Sequence, residues 1–412
     1  MTTVWPRETA LGPLRLRNRV IKTATFEGMS PGGRPTDALV AHHARLAAGG
    51  VGMTTVAYAA VHPDGRTFAH QLLLDDAAIP CLRRLTDAVH AGGAAASIQL
   101  AHCGGFSKNA SVPGGRPLAP SRHLNPYGLA YGLPFTRAMT EADLDAVEAS
   151  FVAGTERALR AGFDAVELHL GHGYLLSQFL SPLFNHRDDA WGGDAPRRRA
   201  FPLRVARAVV RAAAGRLAVL AKINLTDGLP GGATVDDAVA LTQALHGEGV
   251  DALVLSAGMV QRNAFFLLRG GVPIARMAAA ESSWLQRVAL RAFAPFLVRP
   301  YRFSPLFLRE QALCVRKACP QATLCLLGGV TGAADLRTAM SDGFDLVAVG
   351  RSLIRDPDFL RCCEDDASWT SDCTHCNACV ATMDEGGVRC VLPPPGAVMG
   401  AGAGPAGRAS PS

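Results

Sequence analysis

The chain is poor in charge and in aromatic residues. Of its 412 residues 18% are charged and 6% aromatic, against 49% hydrophobic. No apolar run approaches the roughly 20 residues that a membrane helix requires. The opening MTTVWPRETALG lacks the basic-then-apolar pattern of a secretory leader, so a soluble, cytoplasmic protein is expected. The formal net charge of +6 is small for this length and falls short of a nucleic-acid-binding signature. Much of the excess is arginine in 276–316 and in the run Arg197, Arg198, Arg199, which solvated faces largely explain. What is present suffices for one large core or two ordinary ones.

Cysteine is unevenly spread. Of eleven, six fall between Cys362 and Cys390. Cys81, Cys314 and Cys325 sit in apolar contexts and read as small core residues of a reducing compartment.

Eight short, β-branched runs alternate with helical stretches: 20–25, 51–59, 94–102, 163–170, 217–225, 250–258, 322–330 and 344–351. The phrase AGFDAVELH returns in kind as EGVDALVLS and DGFDLVAVG, marking one repeated unit of helix end, glycine turn and buried strand. Before one helix, Thr140 with Asp143 has the form of a capping box, and Gly162 supplies the stop. Eight such units predict an α/β fold, a (β/α)8 TIM barrel whose active residues stand at the C-terminal strand ends. A doubly wound sheet would need a glycine-rich first turn, and none follows VIKTAT. The expected organisation is a barrel over 1–365, a Cys-rich segment over 366–392 and a tail over 393–412. The stretches 103–139 and 259–320 are too long for routine connections and are expected to help form the site.

On this reading the strand ends converge on one mouth. Ala24 and Thr25 come from the first strand, Ala60 from just past the second, and Gln99 and His102 from the third. The fourth gives His169, His172 and Tyr174, the fifth Lys222 and Asn224, and the sixth Ser256. Gly328 and Gly329 follow the seventh, and Gly350 and Arg351 the eighth. Backbone N–H groups and a guanidinium at the last two suit a phosphate. Amide and ammonium donors in the middle suit a flat heterocycle with carbonyls. Singly, each has an ordinary explanation: a strand-end histidine is more often a structural hydrogen bonder, and a double glycine is often only a turn. Their convergence on one face outweighs this.

The stretch HGYLLSQFLSPLFNHRDDAWGG (172–193) resembles the signature of the Old Yellow Enzyme family of FMN-dependent NADH:flavin oxidoreductases. NRV at 18–20, IQLAH at 98–102 and VGRSLIRDP at 349–357 agree with it, and the resemblance covers about residues 8–362. It implies FMN, with NAD(P)H as co-substrate, and reduction of a carbonyl-conjugated C=C bond in a small enone-like substrate. By position, Ala24, Thr25, Ala60 and Gln99 match flavin contacts. Lys222 matches the cation near flavin N1 and O2, and Gly329, Gly350 and Arg351 match the phosphate site. His169 and His172 match the pair that hydrogen-bonds the substrate carbonyl, and Tyr174 the proton donor. Departures exist. The first-strand loop reads ATFEG where many members have cysteine or threonine. Gly105 replaces an arginine. SAGMVQRNAFF lacks the histidine that dienoyl-CoA reductases carry after the sixth strand.

Other chemistries could use parts of this set. A metal hydrolase could use His102, His169 and His172 as ligands but lacks a convincing carboxylate base. A Schiff-base aldolase could use Lys222, and a scaffold could have kept the fold and lost FMN.

CTHCNACVATMDEGGVRC places Cys373, Cys376 and Cys379 as C-x2-C-x2-C, with Cys390 after ten residues. Four thiolates so spaced can enclose a [4Fe–4S] cluster or a tetrahedral zinc, or stand unligated. The motif looks like that of the dienoyl-CoA reductase and trimethylamine dehydrogenase branch. It implies an amine- or dienoyl-CoA-type flavoenzyme as the alternative, its cluster wired to an external electron carrier or kept as a structural staple. Residues 277–303 predict an amphipathic helix, read as a cap on the mouth or as a basic patch for a membrane or an acyl-CoA. The G-x-G-x-x-G at Gly402, Gly404 and Gly407 has no preceding strand and reads as part of a disordered Gly/Pro/Ala tail.

Overall fold

The computed structural model describes residues 5–280 and 284–393. Eight parallel strands close into a barrel: β1 (Val20–Lys22), β2 (Met53–Ala60), β3 (Ala95–Ala101), β4 (Ala165–Leu170), β5 (Ala218–Asn224), β6 (Ala252–Ser256), β7 (Leu324–Leu327) and β8 (Leu346–Val349). Neighbours in sequence are neighbours in the sheet, and β8 pairs with β1 through Val347–Val20 and Val349–Lys22. The strands are buried along nearly their whole length, which is why they read as continuous apolar runs without alternation.

Eight helices cover the barrel: α1 (Asp37–Ala48), α2 (Ile79–Ala91), α3 (Glu141–Arg160), α4 (Ala195–Ala213), α5 (Val235–Gly247), α6 (Arg309–Ala318), α7 (Ala333–Ser341) and α8 (Phe359–Asp365). The expected box at the start of α3 is formed: Asp143 N–H donates to Thr140 Oγ1, and the Asp143 carboxylate accepts from Thr140 N–H. A second box, Thr234 with Asp237, starts α5. Gly162, at φ +80°, turns the chain from α3 toward β4, a conformation that costs glycine nothing.

β1 is shorter than its sequence suggests. Only Val20–Lys22 pairs, so Thr23, Ala24 and Thr25 leave the sheet and run over the mouth. Ala60 is the last residue of β2, not just past it; its N–H donates to Leu72 O at 2.8 Å and its carbonyl accepts from Leu74 N–H at 2.9 Å. Cys325 is buried in β7 and Cys81 half-buried, but Cys314 is exposed. It lies on the outward side of α6, where the apolar neighbours in sequence point elsewhere.

In and beside the stretch expected as one helix over 277–303, Ile274–Ala280 and Trp284–Leu297 are helical, and 281–283 lie outside the described residues. The first packs on Ala378–Thr382 and the second chiefly on the first. Trp284, Val288 and Phe293 are exposed. The Cys-rich stretch is bound to the barrel at several points. Ser371 N–H donates to Thr331 O, Gly271 N–H to His375 O and Val388 N–H to Glu27 O. No helix among the described residues is long and apolar enough to cross a membrane. Of the Gly/Pro/Ala tail, 394–412 lies outside the described residues.

Candidate active site

Among the residues that the sequence assigns to the mouth, His169 touches His172 and Tyr174, and His172 touches Ser256, all around the end of β4. His172 holds φ +61° and Gly173 φ +81°. At φ +81° any side chain at Gly173 would be strained, and its Cβ would also press on the Gln261 amide and Met259 Sδ, so glycine is favoured. A left-handed histidine persists only where its surroundings over-determine it. Here its N–H donates to Asn224 Oδ1 at 3.0 Å, its carbonyl accepts from Val260 N–H at 3.0 Å, and its Nε2 meets Ser256 Oγ at 2.7 Å. Asn224 is held in turn by Asp227 Oδ1 and Gly258 O.

His169 Nε2 and His172 Nδ1 are 3.0 Å apart. Burial, with Lys222 adding, pushes the His172 imidazolium down to about 3. Burial, then His172 and Lys222, drive His169 well below the usual range. Both rings are therefore neutral near pH 7, each with one N–H and one bare nitrogen. In the line Ser256–His172–His169, the remaining nitrogen is His169 Nδ1, which is buried and has no partner among the described residues. The two imidazoles thus form a chain with one open end, and not two parallel donors.

Above that end lies a roof of rings. Tyr174 stacks on His169, centroids 4.3 Å apart, and Tyr58 meets Tyr174 edge-on at 4.9 Å. Phe106 and Cys103 complete the cluster, against which Ala24, Phe26 and Tyr127 pack. Burial raises the Tyr174 phenol well above its ordinary value, with Tyr58 contributing. It is a protonated acid across the physiological range.

Below lies a buried ionic floor. Gln99 Nε2 donates to Glu167 Oε1 at 2.6 Å. Lys222 Nζ pairs with Glu167 Oε1 at 3.0 Å and donates to Thr23 Oγ1 at 3.0 Å. The parallel register produces this contact, since β3 and β4 pair Gln99 with Glu167 and β4 and β5 pair His169 with Lys222. An ammonium has three hydrogens; with two so engaged, one is left for a further acceptor.

Sequence reasoning missed a second buried pair. Lys22 Nζ lies 2.7 Å from Glu27 Oε1 and donates to Thr55 O. Glu27 also accepts from Ala57 N–H and stands 3.4 Å from His43 Nε2. Burial alone would raise the Glu27 carboxyl, but Lys22 and His43 reverse this and hold it low. The available signal was a lysine inside the β-branched run VIKTAT.

Gly329, at φ +82°, gives its carbonyl to Leu306 N–H at 3.1 Å. Arg351, next to Gly350, donates to Arg269 O at 2.8 Å and to Asn377 Oδ1 at 2.6 Å. It thereby joins the expected phosphate position to the Cys-rich segment. Cys373, Cys376, Cys379 and Cys390 line one concavity with Arg351 and Arg355. Burial raises the Cys379 thiol to about 11 and lifts Cys373 as well. Among the described residues, no three Cys, His, Asp or Glu side chains approach closely enough to share a single metal ion. Nor do His102, His169 and His172 form a metal centre: His102 Nδ1 instead accepts from Gly104 N–H at 3.0 Å.

Residues 9–263 match the model of the NADH:flavin oxidoreductase / NADH oxidase family. The chain belongs to that family. It is 42% identical over 383 residues to 4,4'-dithiodibutanoate disulfide reductase of Rhodococcus erythropolis, covering 93% of each chain. It is 38% identical over 248 residues to a metal reductase of Desulforamulus reducens, covering 60% of this chain and 36% of that protein. An NADPH dehydrogenase of Listeria monocytogenes is 34% identical over 254 residues, 61% of this chain and 72% of its own. Two solved structures share the fold. One is 2-naphthoyl-CoA reductase with 2-naphthoyl-CoA, with a TM-score of 0.79 at 20% identity over 96% of this chain and 57% of that one. The other is morphinone reductase with tetrahydroNAD, with a TM-score of 0.68 at 22% identity over 91% and 94%.

Membership in this oxidoreductase family implies FMN and NAD(P)H. The chemistry of the mouth fits a flavin: a buried ammonium with a hydrogen to spare, a carboxamide beside it, small residues at Ala24 and Ala60, and an unpartnered imidazole nitrogen under an aromatic roof.

Proposed function

We propose that the protein is an FMN-dependent reductase that takes hydride from NAD(P)H and delivers it to a small organic acceptor beside the stacked His169 and Tyr174. Lys222, Gln99, Ala24, Thr25 and Ala60 would hold the isoalloxazine, and Gly329, Gly350 and Arg351 its phosphate. Bound FMN supplies the hydride chemistry. The favoured acceptor is a C=C bond conjugated to a carbonyl, and the open His169 Nδ1 carries this reading. In the tautomer where Ser256 donates to His172 and His172 to His169, that nitrogen bears an N–H. It can then stabilise negative charge growing on a carbonyl oxygen. Tyr174, stacked on the same ring, supplies the proton to the α-carbon.

A second acceptor is supported by the 42% identity, over nearly the whole chain, to a disulfide reductase. With a disulfide, hydride adds to one sulfur, the S–S bond breaks, and Tyr174 protonates the departing thiolate. Anaerobically reduced holoprotein offered 2-cyclohexenone or 4,4'-dithiodibutanoate separates the two. Faster reoxidation by the enone supports the first reading, and faster reoxidation by the disulfide replaces it with the second. Reoxidation by neither rejects both.

For the cysteines, we propose a [4Fe–4S] cluster held by Cys373, Cys376, Cys379 and Cys390 that exchanges electrons with an external carrier. The support is their common concavity beside Arg351.

A further inference from the structure

We infer that Glu27 is a positioning residue for the proton donor: its carboxylate, with the Lys22 ammonium, braces a bulge in β2 that turns Tyr58 onto Tyr174. The inference rests on the reading of Tyr174 as the acid of a reductase site, and it adds a residue that sets the place of that acid through Tyr58.

β1 stops pairing at Lys22, opposite Thr54, so the next residues of β2 have no β1 backbone beside them. Two buried side chains take its place. Lys22 Nζ donates to Thr55 O at 3.1 Å, and Ala57 N–H donates to Glu27 Oε2 at 3.0 Å. Their 2.7 Å ion pair joins the two contacts into one brace. On the other side of β2 the register with β3 slips at the same point: Val56 stands opposite Ile98, but Ala59 opposite Leu100. Ala57 and Tyr58 therefore share the place facing Gln99, the two-against-one geometry of a bulge, and bulges re-aim side chains. Here the buried Tyr58 meets Tyr174 edge-on at 4.9 Å and Phe26 at 5.3 Å. Its carbonyl accepts from Gln71 Nε2 at 3.3 Å.

An apolar pair could fill the same volume, since buried ion pairs are often replaceable in that way without loss of stability. It could not give a donor to Thr55 O and an acceptor to Ala57 N–H, and a buried backbone group left unpaired is costly. Glu27 is also anchored from behind. His43 Nε2 stands 3.4 Å from its carboxylate, and its carbonyl accepts from Val388 N–H at 2.7 Å. The brace thus fixes Ala57, the bulge fixes Tyr58, and Tyr58 limits where the Tyr174 ring can stand. A general acid works only within hydrogen-bond reach of the atom it protonates, so a displaced ring slows proton delivery.

The test is anaerobic stopped-flow of the FMN-loaded protein with two double variants. Lys22→Met/Glu27→Leu removes the brace without leaving one charge buried alone, and Lys22→Met/Glu27→Gln returns an acceptor to Ala57 N–H. The Leu variant should keep FMN and its reduction by NAD(P)H, but slow reoxidation by whichever of 2-cyclohexenone and 4,4'-dithiodibutanoate wild type prefers. The expected loss is on the order of ten- to a hundredfold, a hundredfold being the scale for about 1 Å of misplacement. The Gln variant should recover most of it. In a Tyr58→Ala background the two should be equal, because the ring through which the brace acts is gone. Reoxidation of the Leu variant at the wild-type rate overturns the inference, as does an undiminished loss in the Tyr58→Ala background. Tyr58→Ala alone should also slow reoxidation, so a wild-type rate there overturns the inference even where the Leu variant does not fold. If wild type reduces neither acceptor, the reductase reading falls and ultraviolet titration of the phenols tests the brace alone. Ionisation should then begin at lower pH in the Leu variant than in wild type, and identical titrations overturn the inference.

Discussion

His169 Nε2 stands 3.0 Å from His172 Nδ1, and His172 Nε2 stands 2.7 Å from Ser256 Oγ. Where Ser256 donates to His172, the relay through two neutral rings leaves a hydrogen at His169 Nδ1. Replacing His169 with Ala should slow flavin reoxidation by the acceptor by about 10²–10³, the usual cost of losing one such donor. Ser256→Ala should slow it less, because it loosens the tautomer without removing the nitrogen. Both should leave FMN binding and reduction by NAD(P)H intact in anaerobic stopped-flow traces. Collapse of the reductive half-reaction in His169→Ala would move that residue to the flavin.

Tyr174 is held above its ordinary value by burial, so its proton is retained as pH rises. Acceptor reduction should stay flat between about pH 6 and pH 10, the range below an ordinary phenol's titration. Tyr174→Phe should lower it by about 10²–10⁴, the usual contribution of a positioned acid. A wild-type rate that falls with an apparent value near 7 would assign the proton to another group.

Acid should destabilise the fold in a defined direction. His42, His102 and His172 are pushed from 6.5 to about 3 by burial. Between those values the unfolded chain binds protons that the folded one refuses, so stability rises with pH there and is lost as pH falls from 6.5 toward 3. Glu27, held low by Lys22 and His43 against its burial, adds in the same sense: its contribution is present above the unfolded carboxyl value of 4.5 and is lost as pH falls through the folded one. Melting temperatures measured from pH 7.5 down to pH 4 should fall monotonically. A maximum near pH 5 would contradict the buried neutral rings.

Much of this was legible from sequence because the barrel repeats one unit and because its strands are buried on both sides. The strand-end positions followed from that repeat, and Gln99 and Lys222 do meet, through Glu167. The Lys22–Glu27–His43 cluster was not legible: it joins a strand, a loop and a helix, and no local spacing records such a contact. Nor could sequence show that the two histidines bond to each other. That depends on a left-handed backbone at His172, which only the surrounding hydrogen bonds enforce. Cys314 was misread because apolar neighbours along a helix do not share its face.

The four-cysteine concavity predicts about four iron per chain in anaerobically purified protein, the stoichiometry of a cubane, with an EPR signal on reduction. Cys379→Ser should abolish both and leave FMN bound. One zinc per chain without iron would convert the site to a structural one.

The central claim is that the mouth holds FMN and passes NAD(P)H electrons to an organic acceptor. It is tested most directly by the visible spectrum of the purified protein during an anaerobic titration. The account predicts a yellow protein whose flavin band bleaches on adding NADH or NADPH and returns on adding the acceptor, whereas Lys222→Met should retain FMN poorly. Colourless protein that refuses added FMN, or a flavin that NADH and NADPH both fail to bleach, would contradict it.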